Sequence, residues 1–113
     1  MAYKNPADKK AAADKHYQEH KEYYLERNRR RIEEFRQYIR EYKESRGCTD
    51  CGEMYPFYVL QLDHLPGEEK KFNVSDLSKI YSMDKLKEEL AKCEVVCANC
   101  HAKRTYERRF PIV

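Results

Sequence analysis

Apolar residues in the first half of the chain are sparse, and they recur at helical intervals. Leu25, Ile32, Phe35, Ile39 and Tyr42 follow one another at steps of seven, three, four and three, with Asn28 filling the vacant position. Side chains three and four apart share a helix face, so the pattern predicts an apolar stripe on one long helix. The helix is expected from about Asp14 for about 30 residues, or about 45 Å at 1.5 Å per residue. No Gly or Pro falls between Asp14 and Gly47, and Gly47 is placed to stop the helix just past Lys43, Glu44, Ser45 and Arg46. Met1 to about Ala13 is polar, contains Pro6 and shows no periodicity, so this part is expected to fray.

The pattern changes after Gly47. Tyr55 to Asp63 is rich in aromatic and β-branched residues and reads as a strand from about Phe57, ended by the turn chemistry of His64-Leu-Pro-Gly67. Glu68 to Lys71 is a charged loop, and Val74 to Tyr81 has room for a short helical turn. Ser82 is suited to cap a helix from Met83 to about Lys92, in which Leu86 and Leu90 share a face. Cys93-Glu-Val-Val-Cys97 reads as a second strand, and a last helix is expected from about Ala98 to Arg109, ahead of Pro111. The class is therefore α+β: a helical arm over residues 1–46 and a second domain over residues 47–113. At 67 residues, that domain is of a size at which a hydrophobic core is marginal and a structural metal often supplies the difference.

The cysteines supply such a metal site. Cys48-Thr-Asp-Cys51 and Cys97-Ala-Asn-Cys100 are two CxxC pairs, and the two-residue gap lets both thiolates of a pair face one ion. Four thiolates make a closed tetrahedral zinc site of the structural kind. Disulfides are the competing use of these residues. The opening Met-Ala-Tyr-Lys-Asn-Pro has no apolar run of the signal-peptide kind, so a cytoplasmic setting and zinc are expected instead. The sequence has no apolar span long enough for a transmembrane helix, and no membrane role is expected. Cys93 breaks the spacing and reads as a buried strand residue.

Charge is unevenly placed. Residues 1–46 hold 13 Lys/Arg against 9 Asp/Glu, and residues 47–113 hold 10 against 11, with basic residues returning in the tail from His101 to Arg109. Positive charge at both ends fits a polyanionic partner. On the arm, Arg27, Arg29, Arg30, Arg31, Arg36 and Arg40 alternate with Tyr23, Tyr24 and Tyr38, and guanidinium groups suit phosphate oxygens without reading bases. A solvated face is the alternative, with Glu33, Glu34 and Glu41 pairing those arginines at helical spacing. The apolar stripe, for its part, would cover the second domain or pair with another copy of the same helix as a homodimer.

Leu62-Asp-His-Leu-Pro66, followed by Val95-Val-Cys-Ala-Asn-Cys-His-Ala-Lys-Arg-Thr105, resembles the HNH endonucleases. The likeness is closest to the small zinc-containing members common in bacteriophages and bacteria, and it covers about Cys48 to Thr105. It implies the ββα-metal fold, with a strand ending at Asp63-His64, a second strand entering Cys97 and a helix carrying His101. It further implies that Asp63 and His101 bind one catalytic divalent cation such as Mg²⁺, Mn²⁺ or Ni²⁺, separate from the zinc, and that His64 is the general base. The chemistry suits those roles. An imidazole can accept a proton from water near neutral pH, and a cation with open positions can stabilise the transition state and the departing oxygen. Lys103, Arg104 and Arg108 are the expected backbone contacts, Arg104 one helical turn beyond His101. An alternative remains for each residue taken singly. His101 would be an ordinary helix histidine or a competitor for the zinc, and Asp63 and His64 of a regular strand would face opposite ways.

One departure stands out. The family's middle Asn lies about eight residues before the final His, and here that neighbourhood is Lys92 and Cys93. Either Cys93 substitutes through backbone contacts or another residue orients His64. The expected function is a metal-dependent DNA endonuclease, in the host cytoplasm if phage-encoded. The alternatives are a non-catalytic zinc-stabilised nucleic-acid-binding module and an assembly protein that binds through the arm's apolar stripe.

Overall fold

A computed structural model describes residues 5–111. Helix α1 spans Pro6–Glu19, α2 Lys21–Arg46, α3 Met83–Leu90 and α4 Ala98–Arg109; strands β1 (Leu60–His64) and β2 (Cys93–Cys97) form one antiparallel sheet. The chain divides into two compact units between Glu33 and Glu34. No helix among the described residues is long and apolar enough to cross a membrane.

The first difference from the sequence pattern is α1. The helix starts at Pro6, where fraying was expected, because Asn5 and Pro6 form an N-terminal signature. The Asn5 side chain accepts the Ala7 N–H at 2.9 Å, and proline at the first position has no N–H to leave unpaired. Ala11 to Ala13 then favour the helix intrinsically. None of the described residues of α1 is buried. The missing periodicity therefore reported a missing buried face, not a missing helix. The second difference is at His20, whose non-helical backbone separates α1 from α2, so the expected single helix is two.

The stripe on α2 divides between the units. Phe35 and Ile39 are buried in the second unit and Tyr42 is half-buried there, its hydroxyl donating to the Leu90 carbonyl at 3.5 Å. Leu25, in the first unit, is 51% exposed. Gly47 ends the helix in the left-handed region at φ 68°, its N–H bonding the Lys43 carbonyl at 3.0 Å.

In the second unit, Pro56 starts a 3₁₀ turn over Phe57–Val59, so β1 begins at Leu60, three residues later than the composition suggested. β1 pairs with β2 in the register Leu60↔Cys97 to His64↔Cys93. Leu60, Val95, Val96, Cys48 and Cys97 form a buried cluster around this sheet. Leu77, Ile80, Leu86 and Leu90, from the segment between the strands, are also buried. Ser82 caps α3, accepting the Lys85 N–H at 3.2 Å. α4 follows β2 without a loop, so the β2–α4 junction fixes Cys97, Cys100 and His101 as one piece.

Candidate functional site

The four paired cysteines converge. The sulfur atoms of Cys48, Cys51, Cys97 and Cys100 all lie within 4.8 Å of one another, close enough to hold one metal ion. Tetrahedral zinc with Zn–S bonds of about 2.3 Å separates its sulfurs by roughly 3.8 Å, so the four donors fit such an ion with small adjustments. Two knuckles build the cluster. In the first, Gly52 (φ 75°) returns its N–H to the Cys48 carbonyl at 2.9 Å, and the Cys48 N–H reaches the Glu53 carbonyl at 2.9 Å. Thr49 N–H bonds the Val95 carbonyl at 2.8 Å and ties this knuckle to β2.

Backbone amides aim at the sulfurs. The N–H groups of Cys97 and Cys51 approach Cys48 Sγ at 3.2 and 3.5 Å, and Cys100 N–H approaches Cys97 Sγ at 3.5 Å. Burial works against ionisation of Cys48, yet these amide donors hold its thiol down to about 6. Cys100 is pushed up to about 12, first by its contact with the Cys97 sulfur, then by burial and by Cys48 and Cys51. Four thiolates this close oppose one another's ionisation, and a shared cation is what relieves that opposition. Cys93 stays outside the cluster, buried in β2, with its thiol pushed up to about 11 by burial and by Glu89 and Asp63.

On α4, one residue past Cys100, His101 Nε2 lies 3.7 Å from Asp63 Oδ1. His101 Nδ1 is within hydrogen-bond distance of Gln61 Oε1, which holds the imidazole with its Nε2 edge toward Asp63. Gln61 precedes Asp63 by two residues on β1 and so shares its face. Nothing in the local sequence marked it; the pairing depends on the crossing of α4 over β1.

Asp63 is only 4% exposed, and both of its carboxylate oxygens accept hydrogen bonds. Arg108 donates to Oδ1 and Oδ2 at 2.8 and 2.7 Å, and Arg104 donates to Oδ2 at 2.9 Å. Arg108, then Arg104, overcome burial and hold the carboxyl down to about 2. Arg104 also forks onto Asp50 at 2.6 and 2.7 Å and reaches Glu94 at 3.1 Å. Arg104 is thus an internal bridge between the first knuckle, β1 and β2. That differs from the free phosphate contact its spacing suggested, and Asp50, inside the first CxxC, is the partner that spacing cannot show. A cation shared by Asp63 and His101 would have to compete with Arg108, whose side chain is 39% exposed.

His64, the next residue of β1, has a different partner. Its Nε2 lies 2.9 Å from Oε2 of Glu89 on α3, and Glu89 is 1% exposed. Lys92 Nζ holds the other carboxylate oxygen at 2.9 Å. Burial alone raises a carboxyl, but Lys92 and His64 keep Glu89 below its ordinary value. An ionised carboxylate only accepts, so His64 Nε2–H is the donor to Glu89. Glu89 is therefore the residue that orients His64, and Lys92, in the neighbourhood of the missing Asn, orients Glu89. A charged residue between Leu86 and Leu90 on the buried side of α3 was the available signal. His64 also borders a cavity of about 270 Å³ together with Leu62, Lys43, Lys70 and Asn73. No hydrogen bond or ion pair among the described residues joins His64 to Asp63 or His101.

Of the other cations expected to meet phosphate, Arg29 and Arg30 both pair with Glu26, and Arg31 donates to the Asn28 side chain at 3.4 Å. The Glu26 carboxyl is held below its ordinary value by Arg30 and Arg29. Lys103 borders a surface depression with Asp50 and Glu107. Neither a protein-family model, nor a curated protein, nor a solved structure gives a significant match to this chain.

Proposed function

We propose that this protein is a metal-dependent DNA endonuclease of the HNH kind, its two strands and α4 forming a ββα-metal site on a zinc frame of four cysteines. The observation that carries the reading is the approach of His101 Nε2 to Asp63 Oδ1, with Gln61 holding the other ring nitrogen of the imidazole. An oxygen and a nitrogen donor at that spacing suit a divalent cation such as Mg²⁺, Mn²⁺ or Ni²⁺. When bound there, such an ion supplies positive charge to a phosphodiester and to its departing oxygen. His64 alternates with Asp63 at the end of β1 and faces Glu89, so its part as general base rests on the resemblance: Glu89 holds Nε2–H, and Nδ1 is the ring nitrogen left to accept the proton of the attacking water. Lys43 and Lys70 beside it favour an anionic substrate. Arg108, once released from Asp63, and Lys103 meet phosphate oxygens, while Arg104 keeps the frame closed.

The arginines on Asp63 favour a second reading, a zinc-stabilised nucleic-acid-binding module in which the Asp63 cluster is purely structural. His101→Ala separates the two, because this side chain is part-exposed and its loss leaves Arg104 and Arg108 on Asp63. The nuclease reading predicts that cleavage falls at least a hundredfold while zinc content and DNA affinity stay near wild type. Unchanged cleavage in this variant would remove His101 from the site.

A further inference from the structure

The outer side of α4 holds a groove that extends from His101 past the residues the proposed chemistry uses. It has a volume of about 460 Å³ and is lined by Gln61, His101, Ala102, Tyr106, Arg109 and Phe110. Tyr106 and Phe110 are 66% and 54% exposed, and their ring centroids lie 5.0 Å apart at 42°. The Arg109 guanidinium stands over the Phe110 ring at 5.8 Å. Two adjacent aromatic rings left open to water, with a cation beside them, are an unusual feature of a helix that buries none of its own residues.

We propose that this groove is a subsite for an unpaired nucleobase of single-stranded DNA, flanking the phosphate that a cation at Asp63 and His101 would bind. The proposal rests on the nuclease reading and adds a substrate preference to it. Its volume lies within the range of small-ligand sites, about 300 to 1,000 Å³, and so accepts a base with its sugar. Every base has a π-face, and aromatic side chains beside a cationic track are how proteins hold single strands without reading sequence. The charge is complementary where Arg109 lines the groove, and the groove shares His101 with the proposed metal site. Bases paired in a duplex are stacked on their neighbours and cannot offer a face to Tyr106 or Phe110. The groove therefore favours single-stranded or locally opened DNA.

The test is binding by the full-length, zinc-loaded chain with no other divalent cation added, so that cleavage plays no part. Fluorescence anisotropy compares a single-stranded oligodeoxynucleotide with the duplex of the same sequence, at fixed salt, for wild type, Tyr106→Ala, Phe110→Ala and Tyr106→Phe. The expected result is a loss of about tenfold in single-strand affinity for each alanine variant, little change on duplex, and retention in Tyr106→Phe, which keeps the ring. A 2-aminopurine in the strand should be quenched by wild type and less so by the alanine variants. Equal losses on both forms, or no loss on either, overturn the proposal. So does a change in oligomeric state on Phe110→Ala with single-strand affinity intact, which would mark the groove as a contact between copies. Failure here leaves plasmid cleavage untouched, whereas failure of the nuclease reading appears as absent cleavage with single-strand binding still measurable.

Discussion

Asp63 shows how one buried carboxylate can belong to both the fold and the site. Three hydrogen bonds from Arg108 and Arg104 keep it ionised, with its carboxyl held down to about 2. A lowered folded-state pKa stabilises the protein above the unfolded value, near 4, and that contribution is lost as pH falls from about 4 to 2. The shift corresponds to roughly 2 kcal/mol. Asp63→Asn should therefore lower stability at neutral pH by about that amount, and the gap to wild type should close as pH falls toward 2. Denaturant melts of the zinc-loaded protein at pH 7, and at lower pH only down to where the cysteines still hold zinc, measure this; equal melts at pH 7 would mean that the arginines contribute nothing through this carboxylate. Glu89 makes a comparable point on the other side of the strand, where a buried charge is tolerated because Lys92 and His64 occupy both of its oxygens.

At the scale of elements, the turn from α2 into the first knuckle depends on Gly47. A Cβ there would lie 2.9 Å from the Glu53 carbonyl oxygen and collide with the Met54 sulfur, at a φ that L-residues rarely adopt. Gly47→Ala should lower the thermal midpoint of the second unit by several degrees; a melt unchanged from wild type would show that the helix stop is not strained. This stop was legible in the sequence, as were β2, α4 and the Ser82 cap of α3, because each rests on a local rule: a glycine past the last turn, a β-branched run, a hydroxyl before a helix. The gathering of the four cysteines also followed from spacing alone. What escaped was either featureless or long-range. α1 buries nothing and so leaves no periodicity. Gln61 on His101, Asp50 on Arg104 and Glu89 on His64 join residues 40, 54 and 25 positions apart, and only the crossing of the elements brings them together.

For the whole molecule, the cysteine cluster is built into the core of the second unit, where Cys97 is buried, ends β2 and caps α4. Cys97→Ser should release zinc and abolish a cooperative thermal transition, since a structural zinc site supplies folding free energy directly. Metal analysis and calorimetry on the same sample check this, and a cooperative melt without zinc would contradict it. The same frame carries His101 to Asp63, so metal structure and proposed catalysis are linked through α4. The arm's Arg29 and Arg30 are paired with Glu26, and in the proposed nuclease reading the His64 cavity and α4 are the surfaces that receive phosphate.

The measurement that bears most directly on the proposed activity is nicking of supercoiled plasmid by wild type and by His64→Ala, with zinc-loaded protein and Mg²⁺, Mn²⁺, Ni²⁺ or EDTA, after confirming that both proteins melt alike. Nicking by wild type is expected to require a divalent cation and to fall at least a hundredfold in His64→Ala. Nicking that survives in the folded variant would contradict the role of His64, and no nicking with any metal, alongside salt-sensitive DNA binding, would leave a binding module in place of a nuclease.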